Sequence, residues 1–172
     1  MVNIKEISKL TSEYTVLYVE DNEPLALTVI EYLTKFFQKV VYAKDGEEGL
    51  LQYKQNKFDI VFTDIDMPNM NGLEMSAEIK KINKDQNIII VSSYSDADMF
   101  VASATLGIDG YIIKPVNYDE LNNMLYKLAK KLKSSEQNYF DGKEITELNN
   151  KILKQNRVIE ELKETIANIN KE

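Results

Sequence analysis

The chain has 172 residues, 44% hydrophobic and 28% charged, an ordinary globular balance that leaves room for one domain of usual size and something extra. It has no Cys and no His, which excludes disulfides, thiolate and imidazole metal sites, Cys nucleophiles, His general bases and a phosphohistidine on this chain. A net charge of −7 argues against non-specific binding to nucleic acid or an anionic membrane, and with no apolar run of about 18 residues and no signal-type amino terminus the expected location is cytoplasmic.

Residues 1–13 place Ile4, Ile7 and Leu10 at helical spacing and are read as an amino-terminal helical extension that packs on the neighbouring domain. Residues 15–19 are a run of β-formers, the first strand, which stops on Glu20-Asp21-Asn22-Glu23. Pro24 suits the first turn of a helix, and Leu25, Val29, Leu33 and Phe36 come after it as the buried stripe. Residues 40–43 form a short second strand, and Asp45-Gly46 turns into a helix over 47–55 with Leu50 and Leu51 inward. Residues 58–63 form the third strand. It ends on Asp64 and then Asp66, before the turn signals Pro68 and Asn71-Gly72. Residues 73–84 make the third crossover helix. Residues 87–91 are apolar without alternation, as a central strand covered on both faces requires, and end on Ser92-Ser93. A helix over 96–106 breaks at Gly107, and a fifth strand over 110–113 ends on Lys114-Pro115. A fifth helix over 117–133 carries Leu121, Met124, Leu125, Leu128 and Leu132 on one stripe.

This alternation predicts an α/β fold: a doubly wound, five-stranded parallel sheet of flavodoxin-like order 2-1-3-4-5, plus a carboxy-terminal helical extension. In that order strands one, three, four and five are neighbours at about 4.8 Å per strand. Glu20, Asp21, Asp64, Ser92 and Lys114 then fall within reach of one point at the carboxyl edge, where open sheets bind ligands. Clustered carboxylates repel and need a counter-charge, and oxygen-only ligands point to Mg²⁺ or Mn²⁺. Lys114 supplies a point positive charge and Ser92 a hydroxyl for phosphoryl oxygens, and Asp is a known phosphoryl acceptor. The constellation reads as phosphoryl transfer onto Asp64. Singly, each residue has a blander account: Asp64 as a turn cap, Lys114 as a solvated lysine, Ser92 as a strand-end cap, Tyr111 as a half-buried strand aromatic, Glu20-Asp21 as an acidic helix start. Those accounts would have to hold together at four strand ends.

Four motifs occur in order on the appropriate elements: Val19-Glu20-Asp21-Asn22, Asp64-Ile65-Asp66-Met67-Pro68-Asn69-Met70-Asn71-Gly72, Val91-Ser92-Ser93 and Gly110-Tyr111-Ile112-Ile113-Lys114-Pro115. Through them residues 14–133 resemble a receiver domain of bacterial two-component response regulators, CheY-like. The resemblance implies that Asp64 is the phosphoacceptor, that Ser92 hydrogen-bonds the phosphoryl group and that Lys114 pairs with it. It implies a metal, Mg²⁺ or Mn²⁺, held by the side chains of Asp21 and Asp64, the backbone carbonyl of Asp66 and, through water, Glu20. Tyr111 resembles the switch aromatic whose rotamer tracks Ser92, and Lys114-Pro115 resembles a cis peptide. The implied partner is a histidine kinase phosphodonor, with no enzyme activity beyond metal-assisted self-phosphorylation and self-dephosphorylation. Two departures are mild: Ser92 stands where Thr is also common, and Asn71 where Asp is common. Tyr94 and Asp66 take positions that flank the attacking water's path in this family, and predict a phosphoryl lifetime longer than in its fastest members.

An FMN-binding module on the same fold is disfavoured, because Glu20, Asp21 and Glu23 would repel a phosphate at the first loop. A purely structural pseudo-receiver would need loss of an acid or of Lys114, and none is lost. Residues 134–142 are polar, contain the helix-breaking pair Asp141-Gly142 and are read as a linker. In 143–172, Ile145, Leu148, Ile152, Ile159, Leu162, Ile166 and Ile169 keep a seven-residue pattern, a candidate coiled coil. Acids outnumber bases from 134 to 172, unlike a DNA-reading region. The chain is therefore expected to homodimerise through its carboxy-terminal helix or through the fourth and fifth helices of the domain, over 96–106 and 117–133. The alternative is that it fronts a longer protein with a cyclase or kinase output beyond residue 172, which the absence of a helix stop signal favours.

Overall fold

The computed structural model describes the backbone of residues 3–93 and 97–169 and the side chains of 3–93 and 98–157. Tyr94 and Asp96 lie outside the described residues, as do the side chains of Ile159, Leu162, Ile166 and Ile169. The element order is α1 (Ile4–Thr11), β1 (Thr15–Val19), α2 (Glu23–Leu33), β2 (Lys39–Ala43), α3 (Gly46–Gln55), β3 (Ile60–Thr63), α4 (Gly72–Ile82), β4 (Asn87–Ser92), α5 (Ala97–Thr105), β5 (Gly110–Ile113) and α6 (Tyr118–Ile169). The five strands are parallel, in the order β2-β1-β3-β4-β5, as expected from the alternating pattern. Residues as far as Ala129 form one compact unit and those from Lys130 a second.

Short polar side chains start the helices. Asn22 accepts from the Leu25 amide at 3.1 Å and Asp45 from the Glu48 amide at 2.9 Å. Asn71 closes a capping box: it accepts from the Glu74 amide at 2.9 Å while the Glu74 carboxylate accepts from the Asn71 amide at 3.1 Å. Asn71 therefore does the work of the Asp expected there, and α4 begins at Gly72, one residue earlier than its periodicity indicates.

Strand alternation divides the core. Leu17, Val19, Val61 and Ile88 face Leu50, Tyr53, Met75 and Ile79 of α3 and α4. Val16, Tyr18, Ile60, Phe62 and Ile89 take the other face, where α2 buries Ala26, Val29 and Leu33, and α6 buries Leu121 and Leu125. The Tyr32 hydroxyl of α2 donates to Asn122 Oδ1 of α6 at 2.9 Å and ties the two helices together. In α3 the 3–4 spacing of Gly49, Leu50 and Tyr53 makes the inward face, so Leu51, expected inward, is exposed and Tyr53 is buried in its stead. Phe36 is buried as expected, but in the turn after α2 rather than on the helix itself. The amino-terminal helix packs on the domain: Ile7 is fully buried and the Thr11 hydroxyl donates to the Phe36 carbonyl at 3.0 Å.

The break expected over 134–142 is absent. α6 continues through Asp141-Gly142 in helical geometry. One Gly in an exposed helix costs only about 1 kcal/mol relative to Ala, too little to stop a helix whose neighbours favour it. Local side chains add support: Gln137 Nε2 donates to Asp141 Oδ1 at 2.8 Å and Thr146 Oγ1 to the Gly142 carbonyl at 2.9 Å. In the second unit Tyr139, Phe140, Ile145, Leu148, Ile152 and Leu153 are all exposed. No helix among the described residues is long and apolar enough to cross a membrane.

Candidate functional site

The ladders carry the chemistry-bearing residues to one edge. Val19 of β1 pairs with Thr63 of β3, so Glu20 and Asp64 leave adjacent strands at the same level. The ladder runs one bond further at each of these positions: the Glu20 amide donates to the Ala43 carbonyl at 3.1 Å, and the Asp64 amide to the Val19 carbonyl at 3.0 Å. Thr63 pairs with Ile90 and Ser92 with Ile113, which brings Ser92 and Lys114 to the same edge from β4 and β5. The Lys114 amide donates to the Ser92 carbonyl at 2.9 Å, and the Lys114–Pro115 peptide is cis, as the resemblance implied.

These residues line a cleft of about 490 Å³ together with Asp21, Asn22, Leu25, Asp66 and Ser93. Glu20 is 1% and Asp64 7% exposed, while Asp21 and Asp66 stand in solvent. Carboxylate oxygens of Glu20, Asp21 and Asp64 lie within 4.8 Å of one another. Asp66 lines the cleft outside that trio; the role expected of it used its backbone carbonyl. The Lys114 ammonium meets Asp64 Oδ2 at 2.5 Å and Glu20 Oε2 at 2.6 Å. Asp64 Oδ1 accepts from the Ile65 amide at 2.5 Å, and Glu20 Oε1 from the Asn22 amide at 3.3 Å.

The electrostatics are governed by burial. Desolvation pushes the Glu20 carboxyl above its ordinary value, and its hydrogen bond to Lys114 only partly offsets that. Burial works to lower the Lys114 ammonium, but the hydrogen bonds and charges of Asp64 and Glu20 outweigh it and hold Lys114 above the usual lysine value. Three carboxylates against one ammonium leave excess negative charge, and all the donors are hard oxygens. That set fits a small divalent cation that keeps part of its water shell.

Ser92 is fully buried at the cleft wall. Tyr111 is half-buried on β5, its ring 4.3 Å from that of Phe100 on α5, so the expected switch aromatic lies beside the β4–β5 edge and not in the cleft. The structure also brings in residues whose part was not read from the sequence. Tyr42, on the neighbouring strand β2, donates its hydroxyl to the Glu20 carbonyl at 2.9 Å. The Gly72 amide donates to the Ile65 carbonyl at 2.9 Å, and a Cβ at Gly72 would collide with the Asp64 carbonyl and sit 2.8 Å from Thr63 Oγ1. The Asn71-Gly72 turn signal marked the place; the close approach behind Asp64 depends on how α4 docks.

Comparison with known proteins agrees with this geometry. Residues 16–126 match the response regulator receiver domain. The chemotaxis protein CheY of Thermotoga maritima is 33% identical over 116 residues, covering 67% of this chain and 97% of CheY. The response regulator ArlR of Staphylococcus saprophyticus is 36% identical over 106 residues, covering 62% of this chain and 48% of ArlR, so the chain spans about half the length of that relative. Among solved structures, a receiver domain protein (CheY-like) from Methanospirillum hungatei superposes with a TM-score of 0.65 at 29% identity, covering 72% of this chain and 99% of that one. The amino-terminal domain of an uncharacterized protein from Wolinella succinogenes gives 0.66 at 28%, covering 72% and 98%. The sheet order, the acid trio closed by a lysine and the family match converge: this chain belongs to the response regulator receiver domain family of two-component signalling.

Proposed function

We propose that residues 14–133 accept a phosphoryl group on Asp64 from a partner histidine kinase, and that the change of charge there switches the domain's conformation. The observation that carries the reading is the acid trio of Glu20, Asp21 and Asp64 closed by Lys114 at 2.5 and 2.6 Å on the cleft's inner wall. In the transfer, an Asp64 carboxylate oxygen forms a bond to phosphorus as the bond from phosphorus to the donor's imidazole nitrogen breaks. Asp21 and Asp64 would hold Mg²⁺ or Mn²⁺ by side chain, Asp66 by its carbonyl and Glu20 through water. The cation supplies charge neutralisation for the carboxylates and the incoming oxygens. Lys114 pairs with one phosphoryl oxygen, Ser92 donates to another, and Tyr111 reports the state of Ser92 toward α5. No catalysis beyond self-phosphorylation and self-dephosphorylation goes with this reading.

The flanking parts complete it. Residues 1–13 brace the domain, and 143–172 pair two copies of the chain, with 134–142 as the stretch of α6 between receiver and pairing segment. Exposure supports the pairing: Ile145, Leu148 and Ile152, at a and d positions, are 59%, 58% and 46% exposed. An output module beyond residue 172 is compatible with such a helix.

Incubation with acetyl phosphate in Mg²⁺, with intact mass as the readout, should add one phosphoryl group to the wild type and none in EDTA. Asp64→Asn should add none in either. Uptake at the same site by Asp64→Asn sinks the assignment.

A further inference from the structure

Tyr18 sits in the middle of the sheet, 1% exposed, and no described residue hydrogen-bonds to its hydroxyl. Leaving a buried hydroxyl unpaired is costly, and a Phe would fill the same space without that cost. The ring is well held: its register partners are Tyr42 and Phe62, with the Phe62 ring centroid 6.3 Å away. Two residues on, just past the end of β1 where the Glu20 amide still donates to the Ala43 carbonyl and strand alternation returns to the same face, stands Glu20. Glu20 Oε2 is also buried and, among the described residues, is met by the Lys114 ammonium alone, at 2.6 Å. A buried donor with no acceptor among the described residues thus lies two residues before a buried acceptor that depends on one cation.

That cation is the group the proposed reaction claims. When a phosphoryl group on Asp64 draws Lys114 to its oxygens, Glu20 Oε2 loses its partner inside the protein. We propose that the Tyr18 hydroxyl then donates to Glu20, making Tyr18 a positioning residue that stabilises the phosphorylated arrangement of the site. This rests on Asp64 being the phosphoacceptor. A tyrosine hydroxyl carries its proton at neutral pH and so is available as a donor.

The test uses the full chain with Tyr18→Phe, which keeps the ring and removes only the hydroxyl. Thermal unfolding is measured in EDTA and in Mg²⁺ with beryllofluoride, and beryllofluoride affinity is measured by calorimetry. In EDTA the variant should unfold at or above the wild-type temperature. With beryllofluoride it should unfold below the wild type, and its affinity should fall about tenfold, the size of one hydrogen bond to a charged group. A cycle with Glu20→Gln should show coupling between the two positions only in the beryllofluoride state. The same temperature offset in both conditions with unchanged affinity overturns the role of Tyr18 while leaving the phosphoacceptor reading intact. A wild type that binds no beryllofluoride removes both.

Discussion

Lys114→Met tests the electrostatic centre of the site. The substitution keeps the aliphatic stem and removes the ammonium that meets Asp64 at 2.5 Å and Glu20 at 2.6 Å. Both carboxylates are buried, and breaking a buried pair from one side costs about 3–5 kcal/mol. A ceiling comes from protonation, because a carboxyl that takes up a proton escapes the penalty. From an unfolded glutamate value near 4.3 to pH 7 is about 2.7 units, or roughly 3.7 kcal/mol, and to pH 5 it is about 1 kcal/mol. Wild-type Glu20 is already raised by burial and loses part of this itself, so the expected metal-free deficit lies under these ceilings, at about 1–3 kcal/mol at pH 7 and under about 1 kcal/mol at pH 5. The sign agrees with the direction at Glu20, whose folded value is already raised by burial. A group raised on folding gives its full stabilisation below its unfolded value and loses it as pH rises through the folded value. Removing Lys114 raises Glu20 further and widens that loss toward neutral pH. Urea unfolding in EDTA at the two pH values measures this, and Mg²⁺ at pH 7 should recover part of the deficit. A deficit equal at pH 5 and pH 7, or below about 1 kcal/mol at pH 7, refutes the reasoning.

Gly72→Ala should cost about 1–3 kcal/mol, since its Cβ would collide with the Asp64 carbonyl and force α4 off the strand end; urea unfolding at wild-type stability would show that the contact yields. Glu20→Gln in EDTA should gain stability relative to wild type as pH rises from about 4.5 to 7, because it removes the carboxyl that burial disfavours in its ionised form; a pH-independent difference counts against this. Leu148→Asp should convert a dimer to a monomer in sedimentation equilibrium with no change in the receiver's unfolding, since Leu148 is 58% exposed; a variant that stays dimeric moves the interface away from the heptad stripe.

The sheet was legible because four of its five strands are apolar runs that stop on a residue with chemistry: Glu20, Asp64, Ser92, Lys114. Their meeting at one edge was implied once the strand order was assumed, and register puts Lys114 against Glu20 from opposite ends of the domain's sequence. What stayed hidden is set by tertiary packing. Leu51 and Tyr53 both belong to an apolar helical pattern, and docking against β1 and α4 buries the second and exposes the first. Asp141-Gly142 reads as a break only if a turn competes with the helix, and the Gln137 and Thr146 hydrogen bonds favour the helix. Tyr18 is indistinguishable in sequence from any strand aromatic until its hydroxyl is found buried with no partner among the described residues.

The resting site neutralises itself incompletely, and that sets an order of events. Lys114 bridges Glu20 and Asp64, so Oδ2 of the proposed phosphoacceptor is already occupied by the ammonium that, on that proposal, later serves the phosphoryl group. A phosphoryl dianion approaching Asp64 directly would meet Glu20, Asp21 and Asp66 around the cleft with, among the described residues, only Lys114 to answer them. With a divalent cation on Asp21 and Asp64, the same approach meets a neutralised wall, and Lys114 can leave Glu20 without stranding two buried anions. Metal should therefore bind without a phosphoryl mimic, whereas beryllofluoride should not bind without metal. Paired titrations by calorimetry decide this: Mg²⁺ into the bare protein should give saturable heat, and beryllofluoride into the EDTA-treated protein should give none. Beryllofluoride binding in EDTA with undiminished affinity would mean that Lys114 alone suffices, and that the acid trio is not what holds the anion off.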